Sequence, residues 1–112
     1  MITIWHNPRC SKSRQTLAIA EEKGDVTVRK YLEEVPSPEE IRAARDLLGV
    51  RAIEMMRPKE VEFKELGLSK ESEDETLIAA MAQCPKLIER PIVFANGKAA
   101  LGRPPEQVLG IL

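Results

Sequence analysis

The residues best suited to do chemistry lie in one short segment, residues 6–14, which reads His-Asn-Pro-Arg-Cys-Ser-Lys-Ser-Arg. An apolar run precedes this segment and a helical pattern follows it, so Cys10 is expected at the N-terminus of a helix. A thiol there meets unpaired backbone N–H groups and the positive end of the helix dipole. Arg9, Lys12 and Arg14 add positive charge. Each of these features favours the thiolate, which is the nucleophile, and the same helix end is suited to binding an anion.

A buried structural cysteine is the alternative interpretation of Cys10, because that is the usual fate of a free thiol. Cys10 is flanked by Arg9 and Ser11 rather than by apolar residues, and Pro8 is typical of a turn. A cationic cluster would also be badly placed around an inert sulfur. We therefore interpret Cys10 as a reactive thiol.

Length and composition exclude several classes of protein. The 112 residues fit one domain with a modest core, and 43% hydrophobic with 31% charged residues is normal for a soluble globular protein. A net charge of −1 gives no basic field for nucleic acid. No apolar run approaches the roughly 20 residues of a membrane span. With no signal peptide pattern and only two unpatterned cysteines, we expect a cytoplasmic protein that binds neither membrane nor nucleic acid.

The apolar patterns predict an α/β fold. A strand at 2–5, a helix at 11–23 that stops at Gly24 and a strand at 26–31 form a parallel, right-handed βαβ unit. After residue 89, a strand over 90–94, the hairpin signal Asn96-Gly97, a partner strand over 98–101 and a last helix form a ββα unit. Together these units predict a mixed four-stranded sheet.

The middle of the chain, about residues 37–88, is predicted to be an all-helical insertion within a single domain of residues 1–112. Two capping boxes mark helix starts, Ser37 with Glu40 and Ser72 with Glu75. Short helices are expected over 51–57 and 60–66, and the last helix of the insertion should stop before Cys84. Met55, Met56 and Met81 are interpreted as core residues, and Cys84 as a structural residue at a helix end.

This plan resembles the thioredoxin fold, in which Pro91 takes the position of the cis-proline that faces the active thiol. The chain is further similar to the ArsC family of glutaredoxin-linked arsenate reductases, particularly its short YfgD-like branch. The motifs that carry this resemblance are His6-Asn7-Pro8-x-Cys10-x-x-Ser13-Arg14-x-Thr16-Leu17, Tyr31-Leu32-Glu33, Arg57 before Glu65-Leu66-Gly67-Leu68, Arg90-Pro91-Ile92-Val93 and Gly102-Arg103-Pro104-Pro105-Glu106.

The resemblance implies that Cys10 attacks arsenate and that His6 supports its thiolate. It also implies that three arginines hold the oxyanion, with Ser13 and Arg14 as further substrate-binding residues; the arginines are Arg57, Arg90 and Arg103. Guanidinium forks suit a tetrahedral oxyanion, because they bind it in pairs of hydrogen bonds and keep their charge. The implied reaction reduces arsenate to arsenite, with glutathione as co-substrate and glutaredoxin as partner, and serves arsenical resistance.

No metal cluster or Gly-rich phosphate loop stands out, so no metal and no tightly bound cofactor are expected. Two other functions stay open. Cys10-x-x-Ser13 is similar to the pattern of monothiol glutaredoxins, which predicts a thiol oxidoreductase acting on glutathione mixed disulfides. The Spx regulators share this fold without catalysis and bind RNA polymerase. Those regulators generally carry a second cysteine where this chain has Ser13.

Overall fold

A four-stranded sheet organises the first of two units that the chain forms. The computed structural model describes residues 1–112 and divides into residues 1–34 with 90–112 and residues 35–89. The strands, which follow the order β2-β1-β3-β4, are β1 (Ile2–Trp5), β2 (Val26–Arg29), β3 (Ile92–Ala95) and β4 (Lys98–Leu101). β1 pairs parallel with β2 and antiparallel with β3, which pairs antiparallel with β4. The predicted mixed four-stranded sheet is confirmed.

Helix α1 (Ser11–Glu21) connects β1 to β2. Its apolar residues Leu17 and Ile19 pack against the core of the sheet unit, which consists of Ile2, Ile4, Ala20, Val93, Ala95 and Val108. The helix ends at Glu21, two residues before the predicted last residue, Lys23. Ser13 and Thr16 are fully buried, so hydroxyl groups as well as apolar side chains face inward.

The charges of α1 oppose the dipole of the helix. Its first turn contains no acidic residue and its last turn contains no basic one. Lys12 and Arg14 stand near the positive end, whereas Glu21 and Glu22 stand at the negative end. Each of these placements is the reverse of the one that stabilises a helix.

The β3–β4 hairpin turns at Asn96 and Gly97, whose φ angles are 55° and 72°. Two successive positive φ angles define the type I′ turn that the Asn-Gly pair predicts. At the open end of the hairpin the Gly102 N–H donates to the Pro91 carbonyl at 2.9 Å. The last helix, predicted to follow, is a 3-10 helix over Pro105–Ile111.

The second unit, residues 35–89, contains only helices and one isolated bridge between Met56 and Ile88. Its α-helices are α2 (Pro38–Leu48), α3 (Val61–Glu65) and α4 (Asp74–Gln83), with short 3-10 helices at Ala52–Met55 and Pro85–Leu87. For the four helices that the sequence predicts in this unit, the bounds lie within two residues of the prediction, whereas the 3-10 helix at Pro85–Leu87 was not predicted. The assignment of residues 1–112 to a single domain stays a prediction.

The two predicted capping boxes differ in outcome. At α2, the Ser37 hydroxyl accepts from the Glu40 N–H and the Glu40 carboxylate accepts from the Ser37 N–H, as predicted. At α4 the prediction was wrong, because Glu73 is the N-cap and the Ser72 hydroxyl accepts instead from the Ser69 N–H. The Ser72 hydroxyl oxygen, which was expected to cap α4, is thus hydrogen-bonded within the preceding turn.

The core of the helical unit includes Met55, Met56 and Met81, all buried, as predicted. Cys84 is the C-cap of α4 and has non-helical backbone angles, φ −134° and ψ 84°, which confirms that it marks a helix end. No helix in the chain is long and apolar enough to cross a membrane.

Candidate active site

The turn between β1 and α1 is fixed by Asn7. The Asn7 carbonyl accepts from the Cys10 N–H at 3.0 Å, and the Asn7 side-chain oxygen accepts from the Arg9 N–H at 3.0 Å. An Asn side chain that bonds the backbone two residues on stabilises a tight turn. The Arg14 Nη1 donates to the Pro8 carbonyl at 2.9 Å, which ties the first turn of the helix back to the same loop.

Cys10 is the N-cap residue of α1, as the sequence predicts, and its thiol makes no capping hydrogen bond. Burial alone would raise the pKa of this thiol, because it disfavours the charged form. The N–H of Ser13, the hydrogen bond and charge of Arg90 and the N–H of Lys12 oppose burial and hold the pKa below its ordinary value. The backbone N–H groups at the start of α1 and the Arg90 side chain therefore favour the thiolate form of Cys10.

Ser13 connects Cys10 to His6. Its fully buried hydroxyl is hydrogen-bonded to His6 Nδ1 at 2.7 Å and accepts from the Asn7 N–H at 3.0 Å. Burial lowers the pKa of His6, and the charges of Lys30 and Arg14 lower it further, against a smaller opposite effect of Glu21. His6 therefore favours the neutral form, and its ring contacts the loop through Ser13 rather than Cys10 directly.

Arg90 and Arg103 lie next to each other at the base of the hairpin. Pairing continues past β3 and β4 to Pro91 and Gly102, and the Arg103 Nε donates to the Arg90 carbonyl at 3.1 Å. Both arginines precede a cis peptide bond, to Pro91 and to Pro104 respectively. The first of these is the bond that the resemblance to the thioredoxin fold implies; the second was not expected.

Arg57 belongs to the helical unit, where two carboxylates hold it. Its guanidinium lies 3.6 Å from a Glu60 oxygen and 3.7 Å from a Glu89 oxygen, and the backbone N–H of Arg57 donates to the Leu87 carbonyl. Both ion pairs are long and partly exposed, so each stabilises little. Six of the predicted site residues therefore belong to the sheet unit: His6, Cys10, Ser13, Arg14, Arg90 and Arg103. Arg57 belongs to the helical unit.

Two residues of this region have contacts that the sequence did not predict, Thr16 and Gly102. The Thr16 hydroxyl donates to the Lys12 carbonyl at 2.7 Å, and the Gly102 backbone lies directly against the Thr16 side chain. Both residues stand within the motifs quoted above, but only the folded chain shows that they touch. No group of three or more His, Cys, Asp or Glu side chains is arranged to hold a metal ion.

The parallel β1–α1–β2 unit, the antiparallel β3–β4 hairpin and a thiol at the N-terminus of the first helix define a thioredoxin-like protein. Residues 5–111 match the ArsC family, and the chain belongs to that family. A solved structure, described as an arsenate reductase from Vibrio cholerae, superimposes with a TM-score of 0.94 at 54% identity, over 99% of this chain and 97% of that one.

Two relatives of similar length support the assignment. The chain is 52% identical to the uncharacterized protein YfgD of Escherichia coli K12, over 99% of this chain and 96% of that protein. It is 47% identical to a protein of Neisseria meningitidis named arsenate reductase, over 99% of this chain and 97% of that protein. Both the family and the thioredoxin-like α/β fold that the sequence predicts are therefore confirmed.

Proposed function

We propose that this protein is an arsenate reductase that uses glutathione and glutaredoxin as reductants. The observation that carries the proposal is the placement of Cys10 as the N-cap of α1, with the Arg90 side chain beside the sulfur, where it helps to lower the pKa of the thiol. The names of the relatives from Neisseria meningitidis and Vibrio cholerae support the same reaction. A reaction that consumes reduced glutathione fits the reducing cytoplasm.

The chemistry begins with attack of the Cys10 thiolate on As(V). A sulfur–arsenic bond forms and one arsenate oxygen leaves as water, with the protons supplied by solvent. Glutathione then provides the second thiol. Two electrons pass from the two sulfurs to arsenic, arsenite leaves, and the mixed disulfide between Cys10 and glutathione is reduced by glutaredoxin and more glutathione. Overall, As(V) gains the two electrons that convert two glutathione thiols into one disulfide.

The arginines make this attack feasible, because a thiolate and an arsenate anion repel each other unless positive charge lies between them. Arg90 and Arg103, adjacent at the hairpin base, are the proposed oxyanion ligands within the sheet unit. Arg57 is the third proposed ligand. Since Glu60 and Glu89 already partly neutralise its charge, we expect Arg57 to contribute less than the other two.

The remaining site residues act on the loop that carries Cys10. Neutral His6 supports the thiolate through Ser13, whose hydroxyl it fixes and whose N–H faces the sulfur. Arg14 closes the loop onto Pro8 and adds charge for the substrate. Pro91 forms the cis bond that follows Arg90.

The test is arsenite production by the purified protein with arsenate, glutathione and glutaredoxin. We expect turnover with wild type and none with Cys10→Ser. Arg90→Lys and Arg103→Lys keep the positive charge but lose the forked guanidinium. Losing one charge-assisted hydrogen bond costs about 1.5–3 kcal/mol, so each variant should lower kcat/KM by about ten- to a hundredfold. Near-wild-type kcat/KM in both of these lysine variants would remove the arginines from the site.

A thiol oxidoreductase acting on glutathione mixed disulfides is the second candidate, favoured by one observation. The position that carries a second thiol in dithiol enzymes is Ser13, and its buried hydroxyl cannot form a disulfide. The same preparation should therefore be assayed with a small glutathione mixed disulfide. Turnover of the disulfide without arsenite production would replace the first proposal, and absence of both activities would favour a binding role of the regulator type.

A further inference from the structure

We propose that Gly102 and Thr16 are positioning residues, and that their contact sets the separation between the Cys10 sulfur and the Arg90 guanidinium. This inference rests on the proposed function only where arsenate turnover is measured. Neither residue touches the reacting atoms in the proposed reaction. They act by determining how closely the helix that carries the thiol approaches the hairpin that carries the arginines.

Thr16 is the part of the contact that belongs to α1. Its side chain is fully buried, and its hydroxyl donates to the Lys12 carbonyl one turn earlier, which fixes the rotamer. Lys12 and Ser13 in that earlier turn are the residues whose N–H groups face the Cys10 sulfur. Because a helix is a stiff element, a displacement at Thr16 is transmitted to the first turn and to Cys10.

Gly102 is the part of the contact that belongs to the hairpin. A Cβ atom at this position would lie 2.5 Å from Thr16 Oγ1, 3.0 Å from Thr16 Cγ2 and 2.7 Å from Pro91 Cγ. Carbon atoms in contact are normally about 3.5–4.0 Å apart, so any side chain at 102 has to push its neighbours away. The backbone of Gly102 is not in the left-handed region, so the requirement for glycine here comes from space and not from φ.

The hairpin base carries this constraint to the arginine. The Gly102 N–H is hydrogen-bonded to the Pro91 carbonyl, and Arg103 Nε to the Arg90 carbonyl, so residues 90, 91, 102 and 103 move together. Arg90 in turn supplies the hydrogen bond and charge that lower the pKa of Cys10. A methyl group at 102 therefore forces apart the helix and the hairpin where sulfur and guanidinium face each other.

The first experiment compares Gly102→Ala with Gly110→Ala, a matched control in the same unit where a Cβ would meet nothing within 4 Å. Iodoacetamide labelling of Cys10 is followed against pH by mass spectrometry, and folding is followed by thermal unfolding. In Gly102→Ala the midpoint should move to higher pH in a folded protein, whereas Gly110→Ala should match wild type. Arsenate kcat/KM should fall about ten- to a hundredfold, as misplacement of reacting groups by about 1 Å can cause.

The second experiment is a rescue from the helix side. Thr16→Ala removes both threonine atoms that the new methyl group would strike and leaves only Pro91 Cγ in its way, so the double variant Gly102→Ala/Thr16→Ala should recover part of the wild-type labelling midpoint. Thr16→Val keeps the bulk and should not rescue. If Gly102→Ala fails to fold, Thr16→Ile crowds the same contact from the helix and should raise the midpoint in its place.

Three results would overturn the proposal: a folded Gly102→Ala protein with the wild-type midpoint, a double variant with no recovery, or a folded Thr16→Ile protein with an unchanged midpoint. A merely structural role would lower the melting temperature without moving the midpoint. Because labelling needs no arsenate, a protein that proves inactive on arsenate still gives this answer. Failure of the proposed function and failure of the positioning role are thus separate results.

Discussion

Replacing Arg90 by glutamine should impair the Cys10 thiolate without unfolding the protein. Arg90 lowers the pKa of Cys10 by a hydrogen bond and by its charge, and burial of the sulfur works in the opposite direction. Removing the guanidinium leaves only the N–H groups of Ser13 and Lys12 to oppose burial. The pKa of Cys10 in Arg90→Gln should therefore rise, although the two N–H groups keep part of the original stabilisation.

The magnitude follows from the kind of contact that is lost. A hydrogen bond to a charged group contributes about 1.5–3 kcal/mol, and Cys10 is only partly buried, so the lower half of this range applies. For turnover, about 1.5–2 kcal/mol corresponds to a ten- to thirtyfold loss in kcat/KM before any loss of substrate contact. Arg90→Lys keeps the charge, so it should lie between wild type and Arg90→Gln in the labelling midpoint.

The assay is iodoacetamide labelling against pH in a Cys84→Ser background, where Cys10 is the single remaining thiol of the two in the sequence. Arg9→Gln is the matched control, because it removes one positive charge next to Cys10. The Arg9 side chain is exposed and, contrary to the expectation from the sequence, is not among the groups that lower the pKa of Cys10. We expect Arg9→Gln to leave the midpoint close to that of wild type. A midpoint for Arg90→Gln equal to that of wild type would refute the reasoning, and so would a wild-type midpoint at or above the value of a free thiol, about 8.5.

Three further outcomes follow from the structure. Cys84→Ser should keep arsenite production, whereas Cys10→Ser should abolish it. Cys84 would instead be a resolving thiol if the wild type turned over with thioredoxin alone and the Cys84→Ser variant stalled after one equivalent. Burial lowers the pKa of His6, so the folded state binds the His6 proton less readily than the unfolded state does. The unfolding free energy measured by urea titration should therefore decrease as pH falls from about 7.5 through about 6.5. His6→Gln should flatten this dependence, and an equal slope in the variant would contradict it. Ser37→Ala should lower the unfolding free energy by about 1 kcal/mol through loss of the α2 cap, whereas Ser72→Ala, which caps no helix, should cost clearly less; equal losses would argue against the capping assignment.

The sequence predicts turns and helix starts in both units where the signals are local. Asn96-Gly97 predicts its turn, and Ser37 with Glu40 predicts the start of α2, since each pair makes its contacts within four residues. The predicted end of β2 was less accurate, because the strand ends at Arg29 rather than at Tyr31. Arg29 pairs with Trp5, the last residue of β1, so β2 ends where its sole partner in the sheet ends.

Predictions were less complete where distant residues decide the structure. The position of Cys10 at a helix start is local and was predicted. The lowered pKa of His6 depends on burial beside Lys30, and the contact of Gly102 with Thr16 joins opposite ends of the chain. Neither has a signal in the neighbouring sequence. The predicted cap of α4 was wrong for a different, local reason, because the Ser72 hydroxyl accepts from the Ser69 N–H three residues earlier.

The reversed charges of α1 have a consequence for its local opening. With 11 residues, no acidic residue in the first turn and none that is basic in the last, this helix has little stability of its own. Helix α2, also of 11 residues, has a capping box, Glu39 and Glu40 at its start and Arg45 near its end. In native-state hydrogen exchange, we therefore expect the amides of α1 to exchange through smaller openings than those of α2.

An acidic residue in the first turn of α1 would strengthen the helix, but it would also repel the thiolate and any oxyanion that binds beside it. The N–H groups and the dipole that such a residue would satisfy stay directed at Cys10 instead. Reactivity and helix stability thus draw on the same positive helix end, and the first turn cannot be optimised for both. Introducing glutamate there to stabilise the protein would slow the very residue that the fold holds in place.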